Sequence, residues 1–321
     1  MNGGKSVYFI FVVCVLCFQS IFGQETLAAA ELEKFLDRAE LQSQNYSRVF
    51  KNLSAEELKT KTFYKADGSV DEKRSIKSSF IVYQSPNFVS EFRFVREFNG
   101  KNVARDEHEV ETFFNKLAKS KNYREEHERL KKESLRYDGA GDFWGMTMFQ
   151  MRPLISFLRG DFKFKMLGKE KIEGRDAWAI EYEQTKTSPY ILANPLKTET
   201  EGKTWYWRYD TWISDAFRPT NALLKGKIFF DAETAQMMRN EYKVYLNPKN
   251  LSRQIVAQEG IYEYQSSEFG ISVPKKIWLL IFHIKGKDDQ SLSVRKYLEF
   301  NFDYSKFSEF KTEIKDYQTG N

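Results

Sequence analysis

Large apolar residues alternate with polar ones along much of this chain, most densely between Phe162 and Leu246. Phe162, Phe164 and Met166 share one face of an extended run, and Trp178, Ile180 and Tyr182 share the next. Trp205, Trp207 and Tyr209 follow, then Tyr242, Val244 and Leu246. A repeat of two sends successive side chains to opposite faces of a strand, so each run predicts a strand with one face in a core and one in water. The runs Thr60–Lys65, Ser75–Tyr83 and Phe88–Phe98 predict an earlier meander, punctuated by Asp67-Gly68, Ser85-Pro86-Asn87 and Asn99-Gly100. Glu173-Gly174-Arg175-Asp176 and Asp231-Ala232-Glu233-Thr234 predict two hairpin turns. The apolar run Ile277–Ile284 predicts a buried central strand, and alternation through Val294, Leu298, Phe300, Phe302 and Tyr304 predicts an unusually long one.

Helical spacing is confined to a few places. Leu32, Phe35, Leu36 and Ala39 predict an amphipathic helix running to about Arg48. Ser54-Ala55-Glu56-Glu57 has the form of a capping box and predicts a second, short helix. From Asp106 to about Arg136 the chain is highly charged, with Val110, Phe113, Phe114, Leu117 and Ala118 in helical register, which predicts a solvated surface helix. Asp138-Gly139-Ala140-Gly141-Asp142 then predicts a turn, without the ligand pattern of a calcium loop. The fold class that follows is mainly β (α+β). Strands this long and numerous must curl or close to protect their edges, so a long antiparallel sheet bent into an open half-barrel is expected. With no low-complexity linker, residues 24–321 are expected to form one domain, with an N-terminal helix and a charged helical insertion near 106–136.

The first 23 residues read differently. Lys5 precedes the apolar run Val7–Phe18, and Ile21-Phe22-Gly23 offers a cleavage point before Gln24, so residues 1–23 are expected to be a signal peptide. An N-terminal membrane anchor is the alternative reading of the same run. Both cysteines, Cys14 and Cys17, fall inside it, so a cleaved chain would carry no thiol and no disulfide. The expected location is therefore periplasmic or facing the outer envelope. Fifty basic and 45 acidic residues are interspersed, leaving a net charge of +5 without a basic patch, so nucleic acid is not an expected partner.

Candidate chemistry is sparse. None of His108, His127 and His283 belongs to an HExxH pair, and no P-loop, G-x-S-x-G or dinucleotide fingerprint occurs. The expectation is a non-enzyme with no catalytic residues, no metal and no cofactor. One segment stands apart: Met146–Leu158 is apolar nearly all round and rich in Met. It reads either as plain core or as the pliable lining of a hydrophobic site. Under the second reading Met146, Met148, Phe149, Met151, Leu154 and Phe157 line a cavity, with Trp205 and Trp207 from the sheet.

Several stretches resemble a known group. Glu173-Gly174-Arg175-Asp176-Ala177-Trp178-Ala179-Ile180-Glu181-Tyr182 is similar to a strand of exported bacterial proteins of the outer-membrane lipoprotein-sorting (lipoprotein carrier-like) family. Tyr209-Asp210-Thr211-Trp212-Ile213-Ser214 with Phe217-Arg218-Pro219 resembles a hairpin of that family. Lys227-Ile228-Phe229-Phe230-Asp231 and Phe302-Asp303-Tyr304-Ser305-Lys306-Phe307 resemble an uncharacterised branch of it. The resemblance covers the second half of the chain and reaches the first half only as pattern. It implies a sheet curled into an incomplete barrel, helices covering the concave mouth, and a cavity for acyl chains. The function it implies is binding of a lipid or acyl chain in the cell envelope. Lipoprotein acyl chains, an envelope protein and a membrane surface are the partners in view. An envelope scaffold with a filled barrel is the alternative, with a glycan-binding protein or hydrolase behind it.

Overall fold

The computed structural model describes residues 29–84, 89–120, 122–139, 145–148, 150, 154–193, 201, 207–209, 211–217 and 222–309. Helix α1 covers residues 29–50 and leads into β1 (Leu53–Tyr64), β2 (Val70–Gln84), β3 (Val89–Phe98) and the short β4 (Lys101–Asn102). Helices α2 (Glu107–Ala118) and α3 (Tyr123–Ser134) come next, then α4 (Ser156–Arg159). The chain returns to strand in β5 (Phe162–Ile172), β6 (Arg175–Gln184), β7 (Ile191–Ala193), β8 (Trp207–Tyr209) and β9 (Trp212–Ile213). It ends with β10 (Ala222–Asp231), β11 (Met237–Leu246), β12 (Ile255–Ser266), β13 (Ser272–Lys285) and β14 (Ser293–Glu309).

Among the described residues, one antiparallel sheet runs in the order β4-β3-β2-β1-β14-β13-β12-β11-β10-β6-β5, and β9 adds to β13 in parallel. The ends of this path do not pair with each other, so the sheet is open. The expected half-barrel is therefore the observed architecture, and the apolar run Ile277–Ile284 does lie in a central strand. The turns follow the anticipated chemistry: Asn99-Gly100 and Glu173-Gly174 both place two residues at positive φ. That geometry matches the twist of the flanking strands in a two-residue hairpin. Exposed Lys163, Lys165, Lys169 and Lys171 lie along edge strand β5, where charge discourages pairing with another chain.

The concave face is covered by α1. Its buried stripe of Leu32, Phe35, Leu36, Ala39, Tyr46 and Phe50 packs into the main core with the inward residues of the sheet. Phe35 meets Phe230 edge-on at 5.7 Å near one end, and Phe50 reaches Phe80 at 6.0 Å near the other. Burying these side chains contributes on the order of 10 kcal/mol at about 1.5–3 kcal/mol each. Arg159 of α4 holds the helix rim through Asp37 at 2.6 Å and Glu40 at 2.5 Å, and Arg38 donates to the Glu233 carbonyl at 2.6 Å.

Two strand glycines let the sheet bend tightly. Gly226 of β10 stands opposite Tyr182 and Tyr242, and Gly260 of β12 stands opposite Tyr242. A Cβ on Gly260 would overlap the Tyr242 ring, and one on Gly226 would overlap the Glu241 carbonyl and the Tyr182 ring. The rings thus lie over neighbouring backbone in a Tyr–Gly–Tyr–Gly row across four strands. Packing of this kind needs a residue without a side chain.

Two sequence expectations fail. Ser54–Glu57 begins β1 rather than a short helix, and Glu57 is buried on the inner face. Long-range pairing of Glu57 with Arg93 overrides the local capping pattern. The charged insertion is two helices rather than one, because Asn122 restarts the chain as an N-cap that accepts the Glu125 N–H at 3.0 Å. These helices lie against the outer face of β2 and β3, away from the mouth, through Phe92, Leu117 and Leu130.

Candidate functional site

The N-terminal third of the sheet contains two unusual sites on opposite faces. On the inner face, β1 presents Glu57, Lys59 and Lys61, β3 presents Glu91 and Arg93, and Asp138 arrives from the turn after α3. All six are buried. Arg93 donates through Nε to both oxygens of Glu57 at 2.7 and 2.9 Å, and through Nη1 to Glu91 at 2.9 Å. Glu91 also accepts the Thr147 amide and hydroxyl, each at 2.6 Å, and the Gly145 amide at 3.1 Å. Lys59 donates to Asp138 Oδ2 at 2.5 Å, and Lys61 donates to the Asp138 carbonyl.

The charges balance, three against three. Burial pushes the Lys61 ammonium down to about 8, opposed by Asp138. Burial also works against the charge on Arg93, but Glu57 and Glu91 outweigh it and hold the guanidinium above its usual range. The Tyr46 and Tyr304 hydroxyls are pushed well up, chiefly by burial. Each carboxylate is matched to a cation and directed at a neighbouring element. The arrangement ties Asp138, Gly145 and Thr147 to the sheet, and it is a poor floor for an apolar ligand.

On the outer face of the same strands, parity places aromatic residues. Phe92 and Phe94 of β3 and Ile81 of β2 form a floor, and Val110 and Phe114 of α2 form one wall. The helix is set there by its cap: Asp106 accepts the Glu109 N–H at 2.8 Å, with Glu107 and Glu109 in the first turn. Phe92 stacks on Phe113 at 5.7 Å and meets Phe114 edge-on at 6.0 Å, which fixes the wall. Ser54 and Glu56 of β1 and Lys306 and Ser308 of β14 complete the lining. Arg96 lies over the Phe94 ring at 4.8 Å while donating to Ser79 Oγ at 3.0 Å. The result is an open groove of about 710 Å³ with an apolar floor and a rim of both charge signs. The cleft between α2 and α3, about 1430 Å³, is lined mostly by charged side chains.

The described residues among those expected to line a cavity lie in different places. Met146 and Leu154 are buried in the main core, and Met148 packs against it half-buried. Phe157 is 59% exposed and meets Tyr190 edge-on at 5.3 Å, so it faces solvent and lines no interior. Trp207 belongs to β8, paired with Ile191 of β7. Phe149, Met151 and Trp205 lie outside the described residues, as does the expected signal peptide. His283 is half-buried on β13 with Nδ1 at 2.9 Å from Arg295, and its pKa is lowered, chiefly by burial and then by Arg295. Among the described residues no group of three or more His, Cys, Asp and Glu side chains is placed to hold a metal ion. None of their helices is long and apolar enough to cross a membrane.

The groove residues Ile81, Phe92, Phe94, Val110 and Phe114 were not read from the sequence as a site, although Val110 and Phe114 were placed on one helical face. A signal was available in β3, where Phe92 and Phe94 alternate with Glu91 and Arg93. Alternation shows that the two sets face opposite ways, but not which set faces the core.

No family model matches the chain, and no curated protein matches it. Solved structures do. An outer membrane lipoprotein-sorting protein domain from Vibrio parahaemolyticus aligns over 88% of this chain and 95% of its own, at 10% identity and a TM-score of 0.36. A DUF1329 family protein from Desulfovibrio piger covers the same shares at 9% identity and a TM-score of 0.33. A LolA superfamily protein from Nitrosomonas europaea aligns over 84% of this chain and 94% of its own, at 8% identity and a TM-score of 0.28. Two of these neighbours carry names of the lipoprotein-sorting kind. At such scores the likeness carries no information about ligand, partner or activity.

Proposed function

We propose that this protein binds the apolar chain of a lipid or lipoprotein in the cell envelope, without catalysing a reaction, and that the seat is the groove between α2 and the outer face of β1–β3. The observation that carries the reading is the groove itself. Its volume of about 710 Å³ lies in the range of small-molecule sites, roughly 300–1000 Å³, and its apolar floor is preformed. Each methylene buried there contributes about 0.8 kcal/mol, so a short length of acyl chain supplies useful affinity. The concave face is less suitable as it stands, because a ligand would first have to displace α1. That displacement costs on the order of 10 kcal/mol for its buried stripe. Export rests on the Lys5 and Val7–Phe18 pattern, which places the protein where lipids are its neighbours.

The test is to export the protein to a bacterial periplasm, purify it without detergent, extract it with organic solvent and weigh bound lipid by mass spectrometry. Lipid near one per chain is expected, with loss of most of it in Val110→Asp and in Phe94→Asp proteins that still fold. Lipid retained in full by both variants would overturn the groove as the seat. Folded wild-type protein that comes out clean, and takes up no long-chain fatty acid when offered it, would overturn lipid binding altogether. The packed concave face would then favour the scaffold reading.

A further inference from the structure

We infer that the lipid held in the groove carries a head with one phosphate and one ammonium group, that of an aminophospholipid. Arg96 takes the phosphate, and Glu107 and Glu111 take the ammonium. The inference rests on the groove being the binding seat. The groove has two unlike ends. Register sets its floor in rows, with Ile81 opposite Phe92 and Ser79 opposite Phe94. Arg96 comes next, at the extra residue of a β-bulge in β3, a device that re-aims a side chain. Its guanidinium lies over the Phe94 ring at 4.8 Å and donates to Ser79 Oγ at 3.0 Å. Helix α2 runs alongside in a fixed sense. Phe114 in its second half meets Phe92 edge-on at 6.0 Å, while Val103, before its start, donates its N–H to the Arg96 carbonyl at 2.9 Å. Glu107, Val110, Glu111 and Phe114 recur at i, i+3, i+4 and i+7, so one helix face supplies the wall. The Phe92–Phe114 end is therefore apolar, and the end shared by Arg96 and Glu107 is charged.

The rim charges are not all matched. Lys306 pairs with Glu56 at 2.9 Å, and Arg105 pairs with Glu133 at 2.7 Å. Among the described residues Arg96 has no carboxylate partner, and Glu107 and Glu111 have no cationic one. One open cation on the strand side thus faces two open carboxylates on the helix side. A neutral head leaves all three as they are. A purely anionic head meets Arg96 but is set against both carboxylates. A head with both signs satisfies each side, and the planar guanidinium fork suits a phosphate. Ion pairs at exposed positions are individually weak, so the two together should be worth about tenfold in affinity.

The experiment titrates the exported protein, stripped of lipid on a hydrophobic resin, with three single-chain lipids of equal chain length and follows binding by calorimetry. They are a lysophosphatidylethanolamine, a lysophosphatidic acid and a monoacylglycerol. The lysophosphatidylethanolamine should bind about tenfold more tightly than either of the others at low salt, and its advantage should shrink in high salt as mobile ions screen the rim. Arg96→Gln should bring its affinity down to about that of the monoacylglycerol, whose own affinity should not move. Glu107→Gln/Glu111→Gln should weaken the lysophosphatidylethanolamine and strengthen the lysophosphatidic acid, so that the two become about equal. Any other order of affinities in the wild type, or an order that neither variant alters, with binding still abolished by Val110→Asp, would overturn the head assignment and leave the groove standing as an acyl site. Binding of none of the three lipids, or binding untouched by Val110→Asp, would overturn the groove reading, and this inference with it.

Discussion

Both halves of the sheet carry charges on the outer face, but only one buries a cluster of them on the inner face. Across β6, β10, β11 and β12 the charges are outside: Lys225 pairs with Glu183 at 2.7 Å and Lys243 with Glu259 at 2.8 Å. The inner row there is Tyr182, Gly226, Tyr242 and Gly260. Across β1 to β3, Glu57, Lys59, Lys61, Glu91 and Arg93 lie inside beside the apolar Leu53, Ala55, Phe80 and Val82, and Phe92 and Phe94 lie outside. The same alternating strand thus builds a conventional wet-outside sheet in one half and one with locally inverted positions in the other. The inversion is sustained from both sides. Asp138 and Thr147 satisfy the buried charges, while α2 and α3 cover part of the outward aromatics. What α2 leaves uncovered is the groove.

The largest expected effect comes from breaking the inverted half at Arg93. Arg93→Met leaves the Glu57 and Glu91 carboxylates buried without their cation, a loss on the order of 3–5 kcal/mol. It should be read as a lower urea midpoint. Removing the Glu57 charge as well, in Arg93→Met/Glu57→Leu, should restore at least half of the loss, because Glu91 keeps its Thr147 and Gly145 donors. A double variant no more stable than the single one would mean that these charges are not coupled as the distances imply.

The conventional half should fail through packing instead. Gly260→Ala drives a methyl group into the Tyr242 ring and should lower stability by about 1–3 kcal/mol. Tyr242→Ala added to Gly260→Ala removes the clash, so the double variant should lose less than the sum of the two single losses. Strict additivity in denaturation experiments would show that ring and glycine do not meet.

The difference between the halves also explains what could be read in advance. Strands β5, β6, β11, β13 and β14 were legible because period two, turn chemistry and burial agree along them. The sheet's openness followed from their number and length. The inverted half was legible as strands but not as a site. Glu57 sits in a local pattern that belongs to a helix cap, and its structure is decided by Arg93, 36 residues away. Phe92 and Phe94 could be assigned to one face but not to the outward one. The groove draws on β1, β2, β3, α2 and β14, whose proximity only the sheet order reveals. Met146–Leu158 was open to two readings, plain core or pliable lining. Its apolar character was read correctly, and core packing accounts for the buried positions Met146 and Leu154.

The charged interior also predicts a pH response that the apolar interior lacks. Lys61 titrates near 8 in the folded chain and near its ordinary 10.5 when unfolded. Between those values the unfolded chain binds the extra proton, so stability rises with pH across that window. The rise should be about 2 kcal/mol between pH 8 and 10, at about 1.4 kcal/mol per unit. Above about 10 the buried Tyr46 and Tyr304, whose pKa values are raised, reverse the trend, because only the unfolded chain ionises them. Lys61→Met should abolish the rise while leaving the fall. A Lys61→Met protein whose urea midpoint still climbs from pH 8 to 10 would assign the effect to another group.

The smallest effect should come from the outer charges of the conventional half, which is why they sharpen the comparison. Lys243 makes a 2.8 Å pair with Glu259, a closer ammonium–carboxylate contact than the 3.6 Å between Lys61 and Asp138 Oδ1. Its side chain is nevertheless 50% exposed, while that of Lys61 is fully buried. Water already solvates an exposed charge, so removing its partner strands nothing, and Lys243→Ala should cost no more than about 0.5 kcal/mol. That small loss should shrink further in high salt, since mobile ions screen an exposed pair. The Arg93→Met loss should change little over the same salt range, because the buried carboxylates are out of reach of those ions. The Lys243–Glu259 pair at 2.8 Å and the Arg93–Glu57 pair at 2.7 Å are alike in distance and differ in burial, so equal losses at Lys243 and Arg93 would remove burial as the reason why the faces of this sheet behave differently.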